Sequence, residues 1–412
     1  MSASLAAVTA LDQADALRDF RERFEFPAGI VYLDGNSLGP PPKAALDELE
    51  TAARREWGDG LIRSWNNAGW FSLPETLGDR VGALIGAKPG ETIVTDTVSV
   101  NVYKALHAAL ALRPGRHTIL AEADSFPTDL YMAEGVATSR PGTTLKLAHD
   151  DEPLESLIDD DTAVLLVNHV DYRTGVLRNM AAITKAAHAM GALVIWDLCH
   201  SAGALPIALN EANVDLAVGC TYKYLNGGPG APAFIFAACR HHEALVQPLS
   251  GWWTHAQPFA MESRYRPAQG IKRLLCGTQP ILSMRALKAA LDLFDDVDLA
   301  AVRAKSIAMT ELFMELVDPL CTEFGMRIIT PRDPTLRGSH VSICHPNGYE
   351  IIQALISHGV IGDFRAPDIM RFGFTPLYLR YRDAFDAAGH LHDILRTETW
   401  REPRFAVRSV VT

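Results

Sequence analysis

The stretch Ala-Leu-Val-Ile-Trp-Asp-Leu-Cys-His-Ser-Ala-Gly at residues 192–203 decides the fold, because a short apolar run leads directly into polar residues. Six more such runs lie between residues 91 and 240, bounded by acids or glycine: TIVTD (92–96), HTILAEAD (117–124), TLKLAHD (144–150), TAVLLVNHV (162–170), VDLAVGC (214–220) and APAFIFAA (231–238). Short runs that are apolar on both faces are typical of buried strands in a mostly parallel sheet. We therefore predict an α/β fold built on such a sheet.

Segments of helix length separate the runs, at residues 100–112, 128–138 and 180–190. Parallel strands need such crossovers, and an open sheet of this kind binds ligands at the carboxyl ends of its strands. Further helical patterns cover 43–57, 74–85, 281–294, 299–316 and 350–358. We predict a large sheet domain followed by a smaller α+β domain, with functional residues directly after the strands.

Composition narrows the class of protein. The 412 residues include 49 acidic and 38 basic ones, and the formal net charge of −11 repels nucleic acid and anionic lipid. We therefore expect neither nucleic acid nor a membrane as a partner, and no apolar stretch reaches the roughly 18 to 20 residues of a membrane helix. Six cysteines without a C-x-x-C pair, and an N-terminus without a basic region before an apolar one, favour the cytoplasm.

A lysine stands out in Cys-Thr-Tyr-Lys-Tyr-Leu-Asn-Gly-Gly-Pro-Gly, residues 220–230. Lys223 lies between two tyrosines, directly after a predicted strand and before a loop rich in glycine. Burial at the mouth of a sheet lowers the pKa of a lysine, and a neutral amine can form a Schiff base. The alternative is a lysine in a tight turn with only a structural role.

Within the stretch at 192–203, Asp197 directly follows the apolar residues 192–196, and His200 comes three positions later. A carboxylate at a strand end can pair with the protonated ring nitrogen of a bound cofactor, and a nearby histidine can orient it. Alone, Asp197 could cap the next element and His200 could be a structural group. Together with a lysine after the next strand, they are what an enzyme that uses pyridoxal phosphate as an electron sink requires.

A phosphate site is predicted at residues 95–101, Thr-Asp-Thr-Val-Ser-Val-Asn, where a helical pattern begins. Helix N-termini attract phosphate, although an ordinary N-cap explains the same residues. The glycine motifs of nucleotide sites are missing from the sequence. The histidines at 241, 242, 390 and 392 lack partners at metal-ligand spacing, so we predict no metal site.

Five segments resemble those of kynureninases, which are fold type I pyridoxal phosphate enzymes of the class V aminotransferase superfamily: TYKYLNGGPG (221–230), WDLCHSAGALP (196–206), DSFPTDLYMAEG (124–135), NHVDYRTG (168–175) and MRFGFTPLY (370–378). The Tyr-Lys pair separates this family from desulfurases, whose lysine usually follows a histidine. The resemblance spans residues 33–378. It implies a seven-stranded sheet in a large domain at 51–285, a smaller domain at 286–412, and an N-terminal arm at 1–50 that packs with the smaller domain.

The resemblance also implies how the cofactor is bound. Lys223 would hold pyridoxal 5'-phosphate covalently, and Asp197 would pair with its pyridine nitrogen. The remaining contacts that it implies within one chain are Val98, Ser99 and Tyr222 at the phosphate, with Phe126, Asp129 and His200 around the ring. Trp252 and Thr278 would reach the site from the second subunit of a homodimer, and the adjacent Trp253 is an alternative to Trp252.

For the substrate, the resemblance implies that Arg371 binds the α-carboxylate, a task suited to a guanidinium fork. Trp65 would belong to the aryl pocket, and Gly277 with Thr278 goes with preference for L-kynurenine over its 3-hydroxy form. The implied reaction is hydrolysis of the Cβ–Cγ bond of L-kynurenine to anthranilate and L-alanine in tryptophan degradation, with Lys223 and Tyr222 moving protons. The alternatives are another superfamily member, such as a cysteine desulfurase or an aminotransferase, and a non-catalytic α/β ligand-binding module.

Overall fold

The computed structural model describes residues 4–149 and 152–409. Residue 150 of the predicted run at 144–150 lies outside these ranges. So do residues 1–3 of the predicted N-terminal arm and residues 410–412 of the predicted smaller domain. The described α-helices are α1 (Leu5–Ala14), α2 (Lys43–Thr51), α3 (Ser64–Asn67), α4 (Leu73–Leu84), α5 (Val98–Leu112), α6 (Pro127–Ser139), α7 (Met180–Ala189), α8 (Ile281–Leu291), α9 (Leu299–Phe324), α10 (Gly348–Ser357) and α11 (Tyr381–Arg396). None of these helices is long and apolar enough to span a membrane.

The strands that the structure describes form three sheets. They are β1 (Val31–Tyr32), β2 (Thr92–Val94), β3 (Thr118–Glu122), β4 (Thr144–Ala148), β5 (Thr162–Asn168), β6 (Leu193–Asp197), β7 (Leu216–Gly219), β8 (Phe234–Ala237), β9 (Arg327–Ile328), β10 (His340–Cys344), β11 (Val360–Ile361), β12 (Asp363–Arg365) and β13 (Ile369–Gly373). The largest sheet has seven strands in the order β2-β8-β7-β6-β5-β3-β4. It is parallel except for β8, which runs antiparallel to both neighbours. Each strand lies within one predicted run, so the predicted mostly parallel, seven-stranded sheet is confirmed.

The apolar runs form strands because both faces of this sheet are covered. In β5, Val164 and Leu166 belong to the core cluster that includes residues of α5, whereas Leu165 and Val167 belong to a second cluster that includes residues of α7. Successive side chains of a strand point to opposite faces, so a strand between two helical layers must be apolar throughout. Polar residues are therefore expected at the carboxyl end of such a strand, where the helical layers no longer cover it.

Two predicted helices differ in their ends. The pattern at 43–57 gives α2 only to Thr51, and the chain continues as a π-helix at Ala52–Gly60. Arg285 pairs with Glu48 in α2 and with Glu56 in the π-helix, which ties the widened segment to α8. The pattern at 299–316 extends as α9 to Phe324, where a glycine in the left-handed conformation ends the helix.

The last third of the chain forms a four-stranded antiparallel sheet, β12-β13-β10-β9, together with α9, α10 and α11. The first residues of the chain pack here: β1 pairs in parallel with β11, and the backbone N–H of Tyr381 in α11 donates to Asp12 Oδ1 in α1 at 2.7 Å. The boundaries of the large domain, the small domain and the arm stay a prediction.

Candidate active site

A cavity of about 250 Å³ opens at the carboxyl edge of the seven-stranded sheet. Its walls come from the segments that follow β2, β3, β5, β6 and β7, which is where ligands bind in open sheets of this type. Seven of the predicted site residues line it: Val98, Ser99, Phe126, Asp197, His200, Tyr222 and Lys223. The structure therefore brings the predicted lysine, carboxylate and phosphate turn into one space.

The loop that carries Lys223 is shaped by backbone conformation and by the N-terminal segment. Asn226 adopts a φ of 56°, and its side-chain amide donates to the carbonyl of Pro40 at 3.1 Å. Gly39 donates to the carbonyl of Tyr222 at 2.8 Å, and a Cβ at Gly39 would lie 2.3 Å from the carbonyl oxygen of Lys223. Only glycine permits this close approach, so the first forty residues support the lysine loop directly.

Lys223 Nζ lies 3.1 Å from Nε2 of His200. Burial, and then the positive charge of Lys223, lower the pKa of His200 well below its usual range. His200 is therefore neutral at physiological pH, and its ring can exchange a hydrogen bond with the amine without adding a second positive charge. Its other ring nitrogen, Nδ1, is buried and has no hydrogen-bond partner among the described residues.

Asp197 ends β6 in register with Asn168, which ends β5. The Asn168 amide donates to Asp129 Oδ2 at 2.8 Å and accepts from the backbone N–H of Phe126 at 3.1 Å. Asp129 is fully buried, and burial first, then the charge of the nearby Asp197, raise its pKa well above the usual range. The raised pKa favours the protonated form of Asp129, and Asp197 is the carboxyl that lines the cavity.

Phe126 presents its ring to the cavity although 39% of the residue is exposed. The ring centroid lies 5.9 Å from Lys223 Nζ and 5.2 Å from the ring of Tyr172, which it meets edge-on. A half-exposed aromatic ring in a concave wall offers an apolar face to a flat ligand.

The turn before α5 also lines the cavity. Thr97 caps the helix by accepting from the N–H of Val100 at 3.3 Å, and Val98 and Ser99 follow in the first turn. Amide groups of a first turn lack partners within the helix and attract anions. Tyr222 faces the same cavity, and burial together with the neighbouring Cys220 raises the pKa of its phenol, which stays protonated as a donor.

Thr97, which also lines the cavity, belongs to the phosphate turn predicted at 95–101, whereas Thr128, Asn168, Tyr172 and Cys199 were not predicted as site residues. Asn168 carried a signal, because it directly follows the apolar residues 163–167 as Asp197 directly follows the apolar residues 192–196. The rule that polar residues at strand ends form the site would have found it. Tyr172 and Cys199 lie beyond the strand ends, within two of the segments that resemble kynureninases, but neither was assigned a role there.

Arg371 does not line the cavity. It is buried in β13, where its guanidinium donates from Nε to Asp363 Oδ1 at 2.7 Å, from Nη1 to the carbonyl of Tyr172 at 2.6 Å and from Nη2 to the Ser37 hydroxyl at 3.2 Å. A second bond joins Nη2 to the other Asp363 oxygen. The guanidinium thus stands directly behind Tyr172, which forms part of the cavity wall.

The remaining predicted residues form a second group outside the cavity. Trp65 packs edge-on against the buried Trp253 at 5.5 Å, and Trp253 stacks on Trp252 at 5.2 Å. Trp252 is 39% exposed, Thr278 is exposed, and a Cβ added to Gly277 would meet nothing within 4 Å. The structure therefore distinguishes the two tryptophans: Trp253 serves the core of its own chain, and Trp252 faces outward.

The cavity fits pyridoxal phosphate. Lys223 offers an amine, Asp197 offers a carboxyl partner for a protonated ring nitrogen, and the α5 turn offers amides for a phosphate. Phe126 offers a flat apolar face to the same cavity. The unpartnered Nδ1 of His200 is a buried polar atom that a ligand can satisfy.

Solved structures share this fold. A cysteine desulfurase from Thermococcus onnurineus NA1, solved in its apo form, superposes with a TM-score of 0.77 at 17% identity, covering 92% of this chain and 98% of that one. A C-DES mutant with glycine covalently linked to the PLP cofactor superposes with a TM-score of 0.79 at 18% identity, covering 90% and 99%. At this identity the likeness concerns the fold alone.

Sequence relatives are more specific. Residues 302–391 match the family model described as the kynureninase C-terminal domain. Proteins named kynureninase from Burkholderia pseudomallei (strain 1106a) and Pseudomonas fluorescens are each 52% identical to this chain over 408 residues, which is 98% of this chain and 98% of each relative. Such identity along nearly the whole length goes far beyond the shared fold of the desulfurases, and it shows that the chain belongs to the kynureninase family.

Proposed function

We propose that this chain hydrolyses the Cβ–Cγ bond of L-kynurenine and releases anthranilate and L-alanine. The observation that carries the proposal is the meeting of Lys223 Nζ with the Asp197 carboxyl in one cavity, at the ends of neighbouring parallel strands. The 52% identity to kynureninases supports the choice of this reaction among those that the fold can perform.

Pyridoxal phosphate, when bound, supplies an electron sink for the carbanion that forms at the substrate Cα. Lys223 would hold it covalently through Nζ, and Asp197 would pair with its ring nitrogen, next to the buried Asp129. Val98, Ser99 and Tyr222 would bind the phosphate. Phe126 would cover one face of the ring, and His200 would complete the ring environment.

Lys223 would also be the base that moves the Cα proton once its amine is free. His200 supports this role because its neutral Nε2, 3.1 Å from Nζ, can orient the amine without repelling a proton from it. Tyr222 would act as a proton donor or relay, since its phenol stays protonated at the cavity wall.

Arg371 would bind the substrate α-carboxylate. Its guanidinium presently bonds to the carbonyl of Tyr172 through Nη1, so a carboxylate that enters past Tyr172 could replace a neutral acceptor by a charged one. Asp363 keeps the fork in place through two bonds during this exchange.

We further propose a homodimer in which Trp252 and Thr278 of one subunit complete the site of the other. The exposed Phe259 and Met261 adjoin Trp252 and extend this apolar surface. Trp65 would contribute to the aryl pocket from the same region, and Gly277 with Thr278 would favour L-kynurenine over its 3-hydroxy form. The domain division at 50/51 and 285/286 and a cytoplasmic location remain part of this proposal.

The test is the appearance of fluorescent anthranilate from L-kynurenine with purified protein, with and without pyridoxal phosphate. We expect turnover only with the cofactor, and Lys223→Ala should abolish it while circular dichroism shows an intact fold. Sulfide released from L-cysteine is the control for desulfurase chemistry. Faster release of sulfide than of anthranilate, or turnover by Lys223→Ala, would contradict the proposal.

A further inference from the structure

Lys104 in α5 is a fully buried charge that the proposed mechanism does not use. Its ammonium donates to Asp96 Oδ2 at 2.6 Å and to the backbone carbonyl of Leu274. Its side chain is 0% exposed and that of Asp96 is 22% exposed, so only the aspartate of this ion pair contacts solvent. Burying an ammonium is unfavourable, and a helix interior has no intrinsic need for one.

Asp96 stands at the turn that leads into the proposed phosphate site. It adopts a φ of 51°, an uncommon conformation for a residue with a side chain, and it precedes the helix cap Thr97 directly. Its carboxylate also accepts from the Thr95 hydroxyl at 2.8 Å. The buried ammonium therefore fixes the residue from which Val98 and Ser99 are aimed into the cavity.

The same network reaches a second functional segment. The backbone N–H of Asp96 donates to Gln279 Oε1 at 3.3 Å, and Gln279 Nε2 donates to the carbonyl of Gly277 at 3.0 Å. With the bond from Lys104 to Leu274, these contacts connect both ends of the segment 274–279 to the turn. That segment contains Thr278, which is proposed to enter the partner's site.

Stability alone is a weak explanation for such a pair. Buried ion pairs are often replaced by apolar residues of similar size without loss of stability, whereas the loss of one partner leaves an uncompensated charge. A methionine at position 104 would fill the same space. The polar arrangement does what an apolar residue cannot do, since it sets the direction of the Asp96 turn through hydrogen bonds at defined angles.

We propose that Lys104 is a positioning residue for cofactor binding: through Asp96 it holds the turn at 95–99 in the geometry that receives the cofactor phosphate, braced against the segment 274–279. The inference rests on the proposed phosphate site at the start of α5. It gives a function to a lysine that touches neither cofactor nor substrate.

The test compares the affinity of the full-length protein for pyridoxal phosphate with its affinity for pyridoxal, which lacks the phosphate. Both dissociation constants are measured by fluorescence after the cofactor has been removed and added back. In Lys104→Met we expect the preference for pyridoxal phosphate over pyridoxal, expressed as the ratio of the two affinities, to fall about tenfold or more. Loss of a residue that positions a ligand of a metal site has an effect of at least this size. A role in stability alone would weaken both ligands equally and leave the ratio unchanged.

Three variants make the result decisive. Ser99→Ala tests the phosphate site itself, and an unchanged ratio there would refute that site rather than the role of Lys104. Val102→Ala truncates a buried side chain of α5 and should lower the melting temperature without changing the ratio.

The third variant is the double substitution Asp96→Asn/Lys104→Met, which removes both charges of the buried pair. We expect its melting temperature to be higher than that of Lys104→Met, while its affinity ratio stays low. It also replaces Lys104→Met in the test if that variant does not fold. A normal ratio in the double variant, with a low ratio in Ser99→Ala, would overturn the inference.

Discussion

Asp34 is expected to make the stability of this protein depend on pH near neutrality. The residue is partly buried, its Oδ1 has no hydrogen-bond partner among the described residues, and the carboxylate of Asp363 is close by. Burial first, and then the charge of Asp363, raise the pKa of Asp34 to about 7. The pKa of Asp363 behaves oppositely: burial would raise it, but Arg371 overrides burial and lowers it to about 2.

The sign and size of the effect follow from the two pKa values of Asp34. Between 3.8 and about 7 the unfolded chain has lost the proton that the folded chain keeps, so the free energy of unfolding falls as the pH rises. At about 1.4 kcal/mol per pH unit, that interval corresponds to at most about 4 kcal/mol. Because Asp34 retains some contact with solvent, we expect about half of this, ~2 kcal/mol.

The perturbation is Asp34→Asn, which keeps the shape and cannot ionise. Urea unfolding of the cofactor-loaded protein from about pH 4 to about pH 8 should show the variant gaining stability over the parent as the pH rises, with no further gain above about pH 7. Asp47→Asn makes the same chemical change on the exposed face of α2 and serves as the control. A difference between Asp34→Asn and the parent that is independent of pH, or that favours the parent at high pH, would refute the reasoning.

Four further substitutions test the site and its surroundings. Asn168→Ala removes the donor to Asp129 and should weaken pyridoxal phosphate binding by about 1–3 kcal/mol, measured by titration with the cofactor; unchanged affinity would contradict the proposed arrangement. Arg371→Lys keeps the charge but loses the fork, so the KM for L-kynurenine should rise more than kcat falls, and an unchanged KM would exclude carboxylate binding. Trp253→Ala should destabilise the chain by about 3–5 kcal/mol in urea unfolding, whereas Trp252→Ala should mainly weaken the proposed dimer in sedimentation; the reverse pattern would exchange their roles.

The large sheet was predictable because each of its strands is recognisable from a few consecutive residues. A strand covered on both faces must be apolar along its whole length, and β5 and β6 show this in consecutive residues. The end of α2 was not predictable in the same way. Its pattern continues smoothly through Trp57, but the chain widens into a π-helix where Arg285, more than two hundred residues later, pairs with Glu48 and Glu56.

The same difference between local patterns and contacts of distant residues applies to the site. Asp197 and Lys223 were found because each follows an apolar run by a few residues, and Asn168 could have been found by the same rule. The Lys104 network could not, since its contact to Leu274 joins residues 170 positions apart. Nothing in the pattern of α5 indicates that its single lysine is buried, because partners from distant segments make the burial tolerable.

The division between the two groups of predicted residues carries a consequence for assembly. Lys223, Asp197 and the α5 turn share a cavity within one chain, so these proposed contacts to the cofactor come from a single subunit. Trp252 and Thr278 are exposed outside this cavity, although an exposed tryptophan gains little where it stands. If they serve the neighbouring site, dissociation of the proposed dimer should impair substrate turnover more than cofactor retention. Cofactor retention by dilute protein that has lost turnover would therefore support the shared site, and parallel loss of both would assign these residues to cofactor binding.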